Sequence, residues 1–376
     1  MTQLNRQIQL TYDDVLLLPK YSEVLPTETR LEVLLHPKIP LFIPVLSSAM
    51  DTVTEWKMAL EMSLIGGMGI IHKNMSIKDQ SESIKKLKNY DFTISKYKTP
   101  AIDSNNKLLA GAAVGVNAYD RERVTTLVDA GVDLVVIDTA HGHSKGVAEQ
   151  LNWIKKHFPH LVIAAGNVAT PEGTKFLIDS GADIIKIGIG PGSICTTRLV
   201  AGVGVPQFEA VITCAEICQK HNKSSIADGG LRSSGDIVKA LAGGATVVMM
   251  GSTLAGAAES PGEKLVLDGK KYKSYRGMGS IGAMIQGSKD RYGQDSVEIN
   301  QKLVPEGIAG LVPYKGPVEK VLYQLMGGLK AGMGYLGAKN LIELKEKAHF
   351  ITISSSAKIE SAPHSVQSPS EQDEDE

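Results

Sequence analysis

Cys195 lies in a glycine-rich stretch, Gly188-Ile-Gly-Pro-Gly-Ser-Ile-Cys-Thr-Thr-Arg198, that runs on to Gln207. Glycine at 188, 190 and 192 lets such a loop turn sharply and bring backbone N–H and C=O groups against a ligand. A thiol in a polar loop beside a cation is a setting in which a reactive thiolate forms. A buried structural cysteine in a strand-to-helix loop has the same local look. Two further stretches, Ala227-Asp-Gly-Gly230 and Met250-Gly-Ser252, offer glycine N–H groups and a hydroxyl that can donate to phosphate oxygens. Asp228 only accepts, so it suits a ribose hydroxyl; tight turns are the plainer explanation of both stretches. Ser47-Ser48, Asp51, His72-Lys73, Asp138 and Asn167 each close or follow an apolar run. His141-Gly-His143 has metal-ligand chemistry but no clear third ligand, and reads as structural or supporting.

These residues need elements that bring them to one place. Eight apolar runs recur: 42–46, 67–71, 110–114, 134–138, 161–165, 183–187, 224–228 and 246–250. Between them lie helical stretches at 54–65, 76–89, 118–130, 144–157, 171–180, 207–222 and 233–243. Near-continuous Val, Ile and Ala suit parallel strands buried on both faces. Eight such units in succession predict an α/β fold of the (β/α)8 TIM-barrel type, in which strand C-termini share one face with the active site. The polar strand ends then converge. No Gly-x-Gly-x-x-Gly follows the first strand, which argues against a Rossmann-bound dinucleotide; one bound at the barrel mouth would find Asp138 for its ribose.

Two interruptions break the rhythm. Residues 91–107 form a polar linker between the second helix and the third strand. Residues 252–316 form a long insertion between strand 8 and helix 8, too long for a plain connection and expected to be a functional flap. The catalytic barrel is expected to span 1–354, with residues 8–40 packed on its body, and 355–376 to be a mostly disordered acidic tail ending Glu-Gln-Asp-Glu-Asp-Glu.

The formal net charge of −1 gives no reason to expect nucleic acid or a membrane surface as partner, and no apolar run is long enough to span a bilayer. Three cysteines, with Cys214 and Cys218 spaced as packing residues of one helix, and a start that does not read as a signal sequence, predict a reducing cytoplasmic setting.

With these residues assembled, the chain resembles the inosine-5′-monophosphate dehydrogenases from Leu10 to about residue 365. The likeness rests on Ser47-Ser-Ala-Met-Asp-Thr-Val-Thr54, Gly188–Gln207, Ala227–Gly230, Tyr275-Arg-Gly-Met-Gly-Ser280, Asp290-Arg-Tyr292 and Val304-Pro-Glu-Gly307. It implies oxidation of IMP to XMP with NAD, in guanine nucleotide synthesis. Cys195 would attack C2 of the purine, and Arg291, on a mobile flap with Tyr292, would act as base toward the water that hydrolyses the thioimidate. Thr197 and Glu306 resemble an alternative water-activating pair. The likeness implies that IMP meets Ser48, Ser193, Asp228, Gly229, Gly230, Gly251, Ser252, Tyr275, Arg276, Gly277, Met278, Gly279 and Glu306. It implies that NAD meets Asp138, Gly188, Ile189 and Gly190. A potassium ion would take carbonyls of Gly190, Gly192 and Cys195, completed by Glu360, Ser361 and Ala362 of a neighbour in a homotetramer.

The family usually carries a pair of CBS modules where only the 91–107 linker stands here, so nucleotide control through those modules is not expected. GMP reductase shares the barrel, the Cys-Thr-Thr-Arg motif and the absence of the modules, but needs no Arg-Tyr flap for hydrolysis. A catalytically dead barrel serving as a nucleotide sensor or an RNA-binding scaffold is the reading from outside enzymology; the intact Cys195, Thr197 and Arg291 speak against lost catalysis, and the near-neutral charge against RNA.

Overall fold

The computed structural model describes residues 7–93, 99–297 and 299–363. Eight parallel strands close into a barrel in chain order: β1 (Val45–Ser47), β2 (Met68–Ile71), β3 (Gly111–Val114), β4 (Leu134–Asp138), β5 (Val162–Val168), β6 (Ile184–Ile187), β7 (Ser224–Asp228) and β8 (Val247–Met250). Every run read as a strand is one. Helices follow: α1 (Trp56–Leu64), α2 (Ile77–Lys88), α3 (Ala118–Asp129), α4 (Lys145–His157), α5 (Pro171–Asp179), α6 (Gln207–Lys220), α7 (Ser234–Ala242) and α8 (Val318–Leu336).

The strands are apolar throughout because both faces are buried. Along β4, Leu134 and Val136 join the inner cluster with Met68, Ala164 and Ile184, while Val135 and Ile137 join the layer between strands and helices. Period two thus splits one apolar run between two cores. Burying each such side chain stabilises the fold by roughly 1.5–3 kcal/mol. The hairpin Val33–His36/Ile39–Leu41 adds Leu35, Ile39 and Leu41 to the inner cluster and closes its base.

Local signals set the helix ends. Ser76, Thr170 and Ser233 accept from the backbone N–H three residues on, capping α2, α5 and α7. Gly181 and Gly244 carry φ of +103° and +111° in the short turns back to β6 and β8, a conformation that disfavours any Cβ. In the Gly243-Gly244 pair the second glycine makes the turn.

The 252–316 insertion is a folded unit. The strands β9 (Lys264–Leu267), β10 (Lys270–Arg276) and β11 (Ala309–Pro313) form an antiparallel sheet. Between β10 and β11 the chain crosses the barrel mouth as a helix, Ile281–Gln286, and a 3-10 turn, Ser288–Tyr292. The N-terminal segment pairs Val15–Leu17 with Phe350–Thr352. Of the 355–376 segment, Ser355–Glu360 forms a short helix tied to Asp13 through Lys358 at 2.7 Å, and residues from 364 lie outside the described set, as do 94–98 of the linker. Among the described residues no helix is long and apolar enough to cross a membrane.

Candidate active site

The C-terminal ends of the strands and the flap enclose a cleft of about 1000 Å³, counted with its open mouth. Ser48, Asp138, Gly188 to Cys195, Thr197, Asp228 to Gly230, Gly251, Ser252, Tyr275, Gly277 to Gly279, Arg291, Tyr292 and Glu306 all line it. The sequence motifs therefore meet on one surface although up to about 260 positions separate them.

The Cys195 loop leaves β6 and is braced on both sides. Asn167 donates to the Gly188 carbonyl at 2.6 Å, and Gln207 to the Ile187 carbonyl at 3.0 Å. Thr196 N donates to Glu306 O at 2.9 Å, and Ile308 N to Ile194 O at 3.0 Å, so the loop and the far end of the flap are stitched together. The thiol of Cys195 lies 3.3 Å from Thr197 Oγ1. Arg198, the cation next to it in sequence, turns its guanidinium to the carbonyls of Ile189 and Val205, at 3.3 and 2.5 Å. Arg198 thus braces the loop backbone while staying within electrostatic reach of Cys195.

A buried ion network forms the floor. Lys186 stands 2.9 Å from Asp138 and 2.5 Å from Asp228, and Asn167 also donates to Asp228 at 2.9 Å. Sequence reading gave Lys186 no role. Its signal was visible: a lone cation inside the run Ile184-Ile-Lys-Ile187 must find buried counter-charges. From the flap, Arg291 forms a second ion pair with Asp138, and its carbonyl accepts from Ala140 N at 3.1 Å.

Burial alone would raise the Asp138 carboxyl, but the charges of Arg291 and Lys186 outweigh it and hold Asp138 far below the usual carboxylate range. For Arg291, burial would lower the guanidinium, and Asp138 outweighs that too, holding it firmly charged. Burial pushes the Tyr275 phenol up, with Ser193 as a countering hydrogen-bond partner, so a neutral donor faces the Ser193 side of the cleft. Tyr292 is raised for the same reason, with Arg291 opposing. Its ring packs on Gly279, where a Cβ would come within 2.7 Å of Tyr292 Cζ. The Gly-Met-Gly motif is thus partly a seat for the flap tyrosine.

Some residues go elsewhere. Arg276 binds Asp51 through both Nε (3.1 Å) and Nη2 (2.7 Å) and also meets Gln286; it is not part of the cleft lining. Its neighbour on β10, Tyr275, points in because side chains alternate along a strand. Glu360 ends the short helix beside Asp13, with Ser361 and Ala362 after it, away from this copy's own cleft as their expected place on a neighbour's ion site requires. His143 packs on the Phe176 ring at 4.6 Å. Cys214 and Cys218 are buried packing residues whose thiols burial pushes up to about 11 and about 12. Among the described residues no cluster of His, Cys, Asp or Glu could hold a metal ion.

Comparison with known proteins agrees with this geometry. The family model described as IMP dehydrogenase / GMP reductase domain matches residues 9–364. The chain is 50% identical to inosine-5'-monophosphate dehydrogenase of Borreliella burgdorferi, covering 95% of this chain and 97% of that protein. It is 43% identical to the enzyme of that name from Bacillus subtilis and 42% to that from Halalkalibacterium halodurans, each over 95% of this chain and 96% of the relative. The Bacillus subtilis alignment spans 470 positions against 391 for Borreliella burgdorferi, so the former carries a long segment that this chain of 376 residues lacks. A closed barrel, a cysteine-bearing glycine loop after its sixth strand and an Arg-Tyr flap over its mouth fit that match, and the chain belongs to the IMP dehydrogenase / GMP reductase family, in a short form without the CBS modules.

Proposed function

We propose that the protein oxidises IMP to XMP with NAD as hydride acceptor, in guanine nucleotide synthesis. The observation that carries this reading is that the Cys195 loop and the Arg291-Tyr292 flap line the same cleft. A nucleophile alone would serve GMP reductase as well; a device for hydrolysis is what distinguishes the dehydrogenase.

In the first half-reaction the Cys195 sulfur adds to C2 of the purine and a hydride leaves C2, giving a covalent thioimidate. In the second, water adds to C2, its proton passes to a base, the C–S bond breaks and XMP leaves. Ser193, Gly229, Gly230, Gly251 and Ser252 supply donors for the phosphate, and Asp228, set by Lys186 and Asn167, accepts from the ribose. Tyr275 and the Gly277–Gly279 backbone line the remaining side of the nucleotide, together with Glu306.

NAD, when bound, accepts the hydride; Asp138 and the Gly188–Gly190 loop are the groups that suit it, a carboxylate for a ribose and open backbone for close approach. In the arrangement described here Asp138 is taken by Arg291. Cofactor and flap therefore claim the same carboxylate, and hydrolysis follows the flap's arrival. Carbonyls of Gly190, Gly192 and Cys195 are hard oxygen donors of the kind potassium takes, with residues 360–362 of a neighbouring copy as completing ligands. Leu199 at 88% exposed and Tyr335 at 73% give apolar surface for such copies in a cytoplasmic homotetramer.

Asp138 holds Arg291 charged, so a neutral Arg291 base requires that pair to loosen as water attacks. The Thr197–Glu306 side of the cleft offers the second route for the proton. Incubating the protein with IMP, NAD and potassium is expected to yield NADH. Consumption of NADPH on supplying GMP, with no NADH from IMP, would make it the reductase. Arg291→Ala should give a stoichiometric NADH burst and then stall on the covalent intermediate; absence of the burst would remove Arg291 from the hydrolysis step.

A further inference from the structure

The flap is fastened at a second point, 217 positions from its partner in sequence. Asp290 places both carboxylate oxygens 2.6 Å from Lys73 Nζ, and Asn117 donates to Asp290 Oδ2 at 3.2 Å. The Lys73 and Asp290 side chains are only 8% and 3% exposed. Lys73 follows β2 and Asn117 follows β3, so two rigid strand ends hold the residue immediately before Arg291. Asp290 also comes close to the backbone after β3: a Cβ at Gly115 would lie 2.8 Å from its Oδ2 and 2.5 Å from Asp120 Oδ2. A cleft lined by Lys73, Met75, Ser76, Tyr119, Arg123 and Gly287 remains beside this point.

We infer that Lys73 and Asn117 are positioning residues for the hydrolytic step, a latch that closes on Asp290 and so sets Arg291 against Asp138. This rests on the reading of Arg291 given above. When the flap lifts, Asp290 must leave a buried cation and Lys73 keeps only the more distant charge of Asp120, so the pair favours closure. Neither residue lines the catalytic cleft. The latch should therefore act on the second half-reaction and on the competition between flap and dinucleotide, and leave C–S bond formation alone.

The test compares Lys73→Met, Asp290→Asn and Asn117→Ala with wild type and with Arg291→Ala, in the assembled enzyme. For Lys73→Met and Asp290→Asn, the NADH burst keeps its amplitude and rate, steady-state turnover falls about tenfold or more, and the thioimidate accumulates as a mass adduct on Cys195. A non-reducible dinucleotide analogue binds these variants more tightly, by a similar factor, because the competing closed flap is weakened. The double variant is no worse than the worse single one. Lys73→Arg keeps the charge and restores most of the turnover, which a loss of folding would not allow. If Arg291→Ala accumulates the intermediate and the latch variants do not, the latch is wrong while the reading of Arg291 stands. If Arg291→Ala itself shows no hydrolytic defect, the underlying reading falls. Loss of the burst in Lys73→Met also overturns the proposal, since Lys73 would then serve the hydride step.

Discussion

The barrel face and the flap hold their functional groups by different physics. Cys195, Asp228, Gly230 and Ser252 sit on loops a few residues beyond buried strands, and their positions follow from apolar strands that cannot shift without unpacking two cores. Arg291 and Tyr292 sit on a turn held to that face through ions and backbone: Arg291 to Asp138, Asp290 to Lys73, Ala140 N to Arg291 O. Packing gives a fixed seat, whereas a few paired charges give a seat that can be left and regained. The proposed mechanism, in which a dinucleotide leaves and water takes its place, would need both kinds.

The sharpest way to break the comparison is at the fixed side. Cys195→Ala should leave the barrel intact and abolish NADH formation, burst included, because no other group on the cleft replaces the sulfur. A residual hydride-transfer rate of even a few per cent of wild type would rule out the covalent route. Next in size is Arg291→Ala: a normal burst with turnover reduced by about 10²–10⁴, the range for losing a general base. The two substitutions lie on one cleft, yet only one of them should stop the first half-reaction.

Lys186 tests the boundary between the two regions. It holds Asp138, to which the flap docks, and Asp228, which is proposed to meet the nucleotide. Lys186→Met removes the cation common to two buried carboxylates and should destabilise the whole barrel by about 3–5 kcal/mol, read as a fall in thermal midpoint. Lys73→Met should cost the barrel far less, because its partner can swing out to solvent with the flap. Equal losses for the two would mean that the flap is part of the barrel's cooperative unit.

A pH series sharpens the same point. Burial would raise Asp138, but Arg291 and Lys186 hold its folded-state value below that of the unfolded chain. Its contribution to stability is then present above an unfolded pKa of about 3.9 and disappears only as pH falls through the lower folded value. For Arg291, Asp138 outweighs burial and raises the folded value, so that contribution is present below the unfolded pKa and is lost only at pH beyond any working range. While the pair is closed neither partner should ionise between about pH 5 and 9, so Arg291 can take up a proton from water only once the pair has loosened. An acid limb near neutrality in wild type that vanishes in Asp138→Asn would show that the pair does titrate during turnover.

How legible this was follows the same division. The barrel could be read because eight apolar runs of strand length, closed by glycine turns, leave little else to build. Cys195 and the glycine loops could be read because they follow those runs directly. Arg291 could be assigned only by likeness: what places it over the cleft is a contact with a carboxylate more than 150 positions earlier, which no local pattern records. Arg276 shows the reverse. It sits inside a motif otherwise devoted to the cleft, yet strand alternation and the partly buried carboxylate of Asp51 turn it away. Lys186 had a readable signal, a charge where none belongs, and needed only the question of what neutralises it.

The smallest effect is expected where neither packing nor buried charge operates. Lys358, more than half exposed, ties the short helix Ser355–Glu360 to Asp13, and Arg232 reaches the same carboxylate. An exposed pair of this kind contributes up to about 1 kcal/mol, so Lys358→Ala should move the thermal midpoint by no more than about 2–4 °C. The proposed task of residues 360–362 lies on a neighbouring copy's potassium site, so the informative readout is the potassium concentration for half-maximal activity. A rise in that concentration at nearly unchanged thermal midpoint would place the segment in the neighbour's ion site. A large drop in midpoint would instead make it a structural strap of its own barrel, and no change in either would remove residues 360–362 from the cation site.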